Sequence, residues 1–388
     1  MDLSDIINQL GEDREQYFNA IAPPVIQTSN FRFRNCDEMH RKLANETEET
    51  LYTRGNNPTV DILRKKIAAL EHTADALIFA SGSAAISAAV ISHVASGDHV
   101  ICIDRPYSWT RHLLTVLLPR FGVETTFVDG KDIRNFETAI RPKTRLIYLE
   151  SPNTFLLELQ DLEAVSRLAA RQGIITLIDN SCAGPLYQNP ADFGIDLVIH
   201  SASKYIGGHS DLVAGLVCGS KESIRRIHRS ELMTLGAVIS PWNAWLMIRS
   251  LRTLDLRMER ISSNALKVAG FLAQHPGVRC LHYPFHPSHP QYSLALSQMK
   301  RGPGLMTIEL NTDTIRGVKN FCDALSKFLL AVSWGGHESL VLPVYTTLKD
   351  TEDPTSDPAF RLVRLYTGLE DARILIADLE QAFEKLKH

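Results

Sequence analysis

No stretch of about 18 apolar residues occurs in the 388-residue sequence, so it offers no candidate membrane span. Charge of one sign is not in excess. Lys and Arg total 41 against 44 Asp and Glu, a formal net charge of −3, and no basic block stands out. Nothing in that balance gives a positive reason to propose nucleic acid. Met1 to Gln9 is acidic and polar and lacks the pattern of a secretory signal. The six cysteines, Cys36, Cys102, Cys182, Cys218, Cys280 and Cys322, include no CxxC pair. Several stand in apolar runs such as Val100-Ile101-Cys102-Ile103, which reads as buried free thiols in a reducing cytoplasm. Internal repeats and low-complexity tracts are missing. So is a Gly-x-Gly-x-x-Gly after the first strand, which removes the fingerprint of a nicotinamide-dependent dehydrogenase.

What is present is ordinary globular material: 44% hydrophobic and 22% charged residues. That excludes a disordered chain, and the length suggests two or three domains. Residues 1–57 lack long apolar periods and read as an arm. Pro58 to Glu71 places Val60, Leu63, Ile67 and Leu70 on one helical face, with Pro58 and Thr59 as a helix start. Short apolar strands then alternate with helical stretches. Strands are expected at Ala76–Ala80, His99–Asp104, Val123–Asp129, Arg145–Glu150, Ile174–Asp179 and Asp196–His200. Helices are expected at Trp109–Phe121 and at Asp161–Gln172, the latter stopped by Gly173. Unbroken apolar strands alternating with helices imply a mainly parallel sheet covered on both faces.

The pattern changes after Pro241. Trp242 to Gln274 reads as one long helix or two with a bend, followed by a loop containing Pro276, Pro284, Pro287 and Pro290. Leu305–Leu310, Ile315–Lys327, Phe328–Ser333, Leu362–Tyr366 and Asp371–Lys385 then suggest a smaller α+β domain. Asp350 to Asp357 reads as a polar loop. The expected division is an arm (1–57), a ligand-binding domain (58–245) and a C-terminal domain (246–388). The prolines between His282, His286 and His289 suit an extended linker better than a metal site, so no metal is expected.

Open parallel sheets bind ligands beyond the carboxyl ends of their strands. Ser81-Gly82-Ser83 follows a strand and opens a helix, so it is either a plain turn or an anion site suited to phosphate. Asp179 ends a buried strand, where a carboxylate either caps the next turn or faces a protonated ring nitrogen or a metal. Ser201-Ala202-Ser203-Lys204 offers two hydroxyls and an amine nucleophile, and Tyr205-Ile206-Gly207-Gly208 gives that lysine no obvious solvent face. A phosphate-binding helix start, a strand-end Asp and a Ser-x-Ser-Lys together meet the needs of pyridoxal 5′-phosphate. The lysine would attach the cofactor and the Asp would keep its ring nitrogen protonated.

Ile178-Asp179-Asn180-Ser181 and the run His200 to Asp211 resemble the signature of the Cys/Met-metabolism (trans-sulfuration) family of pyridoxal-phosphate enzymes. The resemblance runs from about residue 22 to the C-terminus. It includes Tyr52-Thr53-Arg54-Gly55-Asn56-Asn57-Pro58, Glu150-Ser151-Pro152, His275-Pro276, Ser288-His289-Pro290, and Arg364-Leu365 before Gly368-Leu369-Glu370. It implies an α/β fold of the fold-type I class, with a large mainly parallel-sheet domain and a smaller C-terminal α+β domain. It assigns Lys204 to cofactor attachment and proton movement and Asp179 to the ring nitrogen. Gly82, Ser83, Ser201 and Ser203 fall to the phosphate, and Tyr107 to stacking on the ring beside Lys204 in catalysis. Arg364 is assigned to the substrate carboxylate. Tyr52 and Arg54 would reach the phosphate of a neighbouring subunit, in a homotetramer built as a dimer of dimers with shared sites. Four positions depart from the family pattern: Ser108-Trp109 after Tyr107, Asn153-Thr154 after Pro152, Ser203 for a common Thr, and Tyr366 for a frequent Ser.

Ser333-Trp334-Gly335-Gly336 is similar to a stretch of bacterial cystathionine β-lyases, so Ser333 and Trp334 are expected at the substrate. The resemblance thereby implies a carbon–sulfur lyase that takes L-cystathionine, a small sulfur amino acid, to homocysteine, pyruvate and ammonia; the absent signals and the cysteine usage lead to the expectation of a cytoplasmic protein. The core motifs are shared with cystathionine γ-lyase and γ-synthase, which stay open. The Tyr-Gly-Cys-Thr pattern of methionine γ-lyases is missing at Tyr107-Ser108-Trp109-Thr110. A non-catalytic regulatory protein on this fold is countered by the presence of Lys204, Asp179 and Arg364 together. His209 and His337, each beside a glycine, are expected to serve local hydrogen bonding rather than acid–base chemistry.

Overall fold

The computed structural model describes residues 1–46, 48–348 and 357–386. Two compact units emerge. The first holds 1–150, 160–207 and 211–253; the second holds 151–159, 208–210 and 254–388. A division along the chain would assign the two short segments 151–159 and 208–210 to the first unit.

The first unit is built on a seven-stranded sheet. Its strands are β1 (Asp75–Phe79), β2 (His99–Ile103), β3 (Glu124–Val128), β4 (Thr144–Glu150), β5 (Ile175–Asp179), β6 (Leu197–Ser201) and β7 (Gly215–Gly219), in the order β1-β7-β6-β5-β4-β2-β3. β6, β5, β4, β2 and β3 run parallel, while β7 runs antiparallel to both β6 and β1. Residues of β2, β4 and β5 such as Ile101, Leu146 and Leu177 are fully buried, as a sheet covered on both faces requires. β7 is the strand of this sheet that the sequence does not announce, because a short Leu-Val-Cys run flanked by glycines carries little strand signal of its own.

The helix Pro58–Leu70 starts where expected: the Asn57 side chain accepts from Thr59 N–H (3.0 Å), and Pro58 occupies the first turn. It buries Leu63, Ile67 and Leu70, and also Lys66. The helix Leu162–Gln172 is capped by Asp161 and ends at Gly173 in the left-handed conformation. Trp109–Phe121 is less regular than expected. An α-helical turn (Ser108–His112) passes into a wider π-turn (Leu113–Leu117) and a 3₁₀ turn (Leu118–Phe121) containing Pro119. The N-terminal residues are more than an arm. Ile6 and Ile7 are buried, and Lys66 Nζ donates to their carbonyls at 3.0 and 3.2 Å.

The second unit carries a five-stranded sheet of β8 (Val278–His282), β9 (Leu305–Leu310), β10 (Leu329–Leu330), β11 (Leu340–Pro343) and β12 (Leu362–Tyr366), ordered β10-β11-β12-β9-β8. All pairs except β10–β11 are antiparallel. The helices Leu254–Leu272, Ile315–Ala324 and Ala372–Phe383 bring Val268, Phe321 and Leu379 into one core with Met306, Ile308, Val363 and Leu365. The stretch from Trp242 resolves into two helices, Pro241–Leu251 and Leu254–Leu272. Phe328–Ser333 contributes only the two-residue β10. Of the loop expected at Asp350–Asp357, all but Asp357 lies outside the described residues. No helix among the described residues is long and apolar enough to cross a membrane.

Candidate active site

Parallel strands bring their carboxyl ends to one edge of the sheet, and in the first unit that edge collects the predicted residues. Ser81-Gly82-Ser83 follows β1, Tyr107 follows β2, Glu150 ends β4, Asp179 ends β5 and Ser201 ends β6. Ser81 caps the ten-residue helix Gly82–Ile91, its hydroxyl accepting from Ala84 N–H at 3.1 Å. The N–H groups of Gly82 and Ser83 thus belong to a first helical turn, which has no intrahelical acceptor for them. Gly82 packs directly on Ser201. A Cβ at residue 82 would stand 2.9 Å from Ser201 Cβ and 3.0 Å from its Cα, so only glycine lets the helix start approach β6.

Asp179 is buried, and its carboxylate accepts from Ser181 N–H (3.0 Å) and from the Ser181 hydroxyl (2.5 Å). Burial pushes its pKa up; the two Ser181 donations and the nearby His200 and Lys204 oppose that, and the net remains upward. Ser181 Oγ also accepts from Ser201 N–H (2.7 Å), tying the end of β5 to the end of β6. Lys204 stands on the turn after β6, where its N–H donates to Ser201 O (3.1 Å). The Ser203 hydroxyl faces the same loop, accepting from Ala214 N–H at 3.1 Å.

Tyr107 precedes the turn Ser108–His112, and its N–H donates to the buried Glu150 carboxylate (2.6 Å). Burial raises its phenol pKa, and the Ser83 hydroxyl hydrogen-bonded to it works the other way. Tyr52 and Arg54 lie together, the guanidinium 5.5 Å from the ring centroid, and both are exposed.

Behind the strand ends lies a buried network that the sequence reading did not find. His200 Nε2 meets Glu71 Oε1, Asn180 Nδ2 donates to the same oxygen (3.2 Å), and Asn180 exchanges hydrogen bonds with Gln188 at 2.9 Å. Glu71 and His200 are 129 residues apart in sequence, so no local pattern could pair them. Ser181 had a local signal: Asp-x-Ser is the spacing at which an aspartate accepts from the backbone two residues on.

In the second unit, Arg364 on β12 donates from Nη2 to Ser333 O (3.0 Å), and its guanidinium lies 5.7 Å from the Phe155 ring centroid. The departure at Asn153 closes a compact loop. Asn153 Oδ1 accepts from Glu158 N–H (2.9 Å) and Asn153 Nδ2 donates to Glu158 Oε2 (3.1 Å). His337 Nδ1 stands 3.1 Å from Glu338 Oε2.

The donor set of the first unit suits a phosphorylated heterocycle: helix-start N–H groups and hydroxyls for a phosphate, a buried carboxylate for a cationic ring nitrogen, and a lysine on the adjoining turn. The family model for Cys/Met metabolism PLP-dependent enzymes matches residues 5–384. The chain belongs to this family. Pyridoxal 5′-phosphate is therefore its cofactor, and the fold is that of the family's fold-type I enzymes.

Among curated members of the family, the chain is 38% identical to an L-methionine gamma-lyase from Treponema denticola, over 95% of this chain and 94% of that one. It is 36% identical to a cystathionine gamma-lyase from Bacillus subtilis, over 95% of each chain. A putative cystathionine beta-lyase from Rhizobium johnstonii is 34% identical, over 97% of this chain and 94% of that one. Two solved members superpose closely. They are metB from Corynebacterium glutamicum (TM-score 0.92, 32% identity, 100% of this chain and 98% of that one) and a putative O-acetylhomoserine (thiol)-lyase from Campylobacter jejuni (TM-score 0.93, 28% identity, 99% and 100%). The latter structure contains N′-pyridoxyl-lysine-5′-monophosphate.

Proposed function

We propose that this PLP-dependent enzyme is a carbon–sulfur lyase that cleaves L-cystathionine by β-elimination, with homocysteine, pyruvate and ammonia as products. The observation that carries the choice is the Ser333-Trp334-Gly335-Gly336 loop, held by Arg364 at 3.0 Å from Ser333 O. That loop resembles the one of bacterial cystathionine β-lyases.

Gly82 and Ser83 N–H groups, with the Ser83, Ser201 and Ser203 hydroxyls, would hold the cofactor phosphate. Asp179 would face the ring nitrogen, and Tyr107 would stack on the ring. Tyr52 and Arg54 would reach the phosphate of a neighbouring subunit, in a homotetramer with shared sites. Pyridoxal phosphate, when bound, supplies an electron sink for charge that develops at the substrate Cα. Lys204 Nζ would attach the cofactor and would also serve as the base that takes the proton from the substrate Cα. Arg364 presents a planar fork of donors that matches the substrate carboxylate. Ser333 and Trp334 would contribute to the substrate site beside Arg364.

A second reading is γ-elimination, favoured by the relatives named L-methionine gamma-lyase and cystathionine gamma-lyase. Mass spectrometry of the products from L-cystathionine separates the two. Homocysteine with pyruvate supports β-elimination. Cysteine with 2-oxobutyrate, or methanethiol from L-methionine alone, moves the enzyme to the γ branch. Lys204→Ala should keep the fold by circular dichroism and lose turnover by at least about 10³-fold; retained turnover would remove the role given to Lys204.

A further inference from the structure

We infer that Tyr366 is a positioning residue that presets the Ser333–Gly336 loop for substrate, through the hydrogen bond from its hydroxyl to the Gly336 carbonyl. The inference rests on the reading of Arg364 and that loop as substrate-binding elements.

Arg364 and Tyr366 are two residues apart on β12, so their side chains leave the same face of the strand. Both reach the same loop. Arg364 Nη2 donates to the carbonyl of its first residue, Ser333 (3.0 Å), and Tyr366 Oη donates to the carbonyl of its fourth, Gly336 (2.8 Å). The loop between these points has an unusual backbone: Ser333 has φ +73°, uncommon for a residue with a side chain, and Gly335 has φ +95°. Gly336 sits in a closed corner, where a Cβ would lie 2.2 Å from Ser210 Oγ and 2.4 Å from Glu338 Oε2. Beyond Gly336 the chain is held separately. Leu369 N–H donates to His337 O (2.8 Å), and Ser339 gives its N–H (2.9 Å) and hydroxyl (2.8 Å) to Glu370.

The two clamps differ in what substrate does to them. Arg364 is partly exposed and must divide its donors between Ser333 O and an incoming carboxylate. Tyr366 is 1% exposed and buried with its ring beside Gly304, so its hydroxyl bond is formed before substrate arrives and is kept afterwards. Burial raises the phenol pKa well above its ordinary value, which keeps the hydroxyl a donor throughout the working pH range. Tyr366 therefore fixes the far end of the loop while Arg364 turns to its ligand. Binding, rather than proton transfer, is what its loss should impair.

The test is Tyr366→Phe in the holoenzyme, which keeps the ring and removes only the hydroxyl. KM and kcat are measured on L-cystathionine, L-methionine and L-cysteine, with the cofactor absorption band and thermal midpoint as controls. The expected result is a KM raised about five- to tenfold on each accepted substrate, with kcat within about twofold and the cofactor band unchanged. Unchanged KM with a lowered midpoint makes Tyr366 a packing residue and overturns the inference. So does a fall in kcat at constant KM. If the parent enzyme cleaves methionine but not cystathionine, the β-elimination reading fails while the Tyr366 comparison proceeds on methionine.

Discussion

Ser181 donates twice to one carboxylate oxygen of Asp179, with its N–H at 3.0 Å and its hydroxyl at 2.5 Å, while its own hydroxyl oxygen accepts from Ser201 N–H at 2.7 Å. A single small residue thus favours the charged form of a buried acid and links the ends of two neighbouring strands. The link matters because burial alone drives Asp179 toward the neutral form. A neutral Asp179 could not hold a proton on a ring nitrogen.

Replacing Ser181 with Ala tests that balance. Losing the hydroxyl donation leaves the charged carboxylate less favoured, so Asp179 protonates at higher pH. The acid limb of pyridoxal-phosphate affinity is expected to move up by about 0.5–1 pH unit, measured by absorbance titration of the cofactor across pH. An unmoved or downward-shifted limb would contradict the assignment of Asp179.

Gly82→Ala should weaken the cofactor site by geometry alone. The new Cβ would meet the backbone and Cβ of Ser201 at 3.0 and 2.9 Å, so the helix start and the end of β6 must separate. Cofactor affinity is expected to fall about tenfold or more, with a stability loss of about 1–3 kcal/mol by denaturant titration. Affinity equal to the parent would mean that the two segments need not touch.

Glu12 is the counter-charge for a buried lysine. Its carboxylate meets Lys66 Nζ at 3.0 Å, Arg252 at 2.9 Å and Arg14 at 3.2 Å, and the side chains of both Glu12 and Lys66 are fully buried. Burial lowers the Lys66 pKa and Glu12 opposes that. Glu12→Gln leaves the cation buried without its balancing charge, at a cost of about 3–5 kcal/mol. Limited proteolysis should then cut near Ile6 and Ile7, whose carbonyls Lys66 holds; resistance equal to the parent would argue against the clamp.

Asp378 predicts how the second unit responds to acid. Its carboxylate accepts from Ser326 N–H (2.9 Å), Ser326 Oγ (2.8 Å), Lys327 N–H (2.7 Å) and Phe328 N–H (3.3 Å). Burial pushes its pKa up, but these donors outweigh it and the net is downward. A carboxyl whose folded pKa is depressed adds stability above its unfolded pKa, and that stability is lost as pH falls through the folded value. Asp378→Ala should therefore cost about 2–3 kcal/mol near neutral pH, and the gap should narrow below about pH 4. A gap independent of pH would show that packing, not the charged carboxylate, supplies it.

Much of this fold is legible residue by residue. β9 and β12 occupy the expected ranges Leu305–Leu310 and Leu362–Tyr366, where Met306, Ile308 and Leu310, like Val363 and Leu365, recur at every second residue and enter the core. The strands that escaped detection, β7, β8 and β11, are four or five residues long and contain Gly, Pro or charged residues, so each depends on pairing with its neighbours to become a strand. The same contrast runs through the candidate site. Gly82, Asp179, Ser201 and Lys204 could be named because each follows or ends an expected strand, and parallel strands deliver their carboxyl ends to a common edge, whereas Tyr107 was named only through the family resemblance.

The partners of those residues were not legible. Glu150 under Tyr107, Glu71 on His200, Glu12 on Lys66 and Tyr366 on Gly336 are matched by contacts between distant parts of the chain. By itself the sequence determined the type of sheet, the strand-end positions of the candidate site and the family, since local periodicity and short motifs encode them. Only the tertiary structure decided how each buried charge and hydroxyl is satisfied. That outcome depends on which distant segments exclude water from it together, and no local spacing records it.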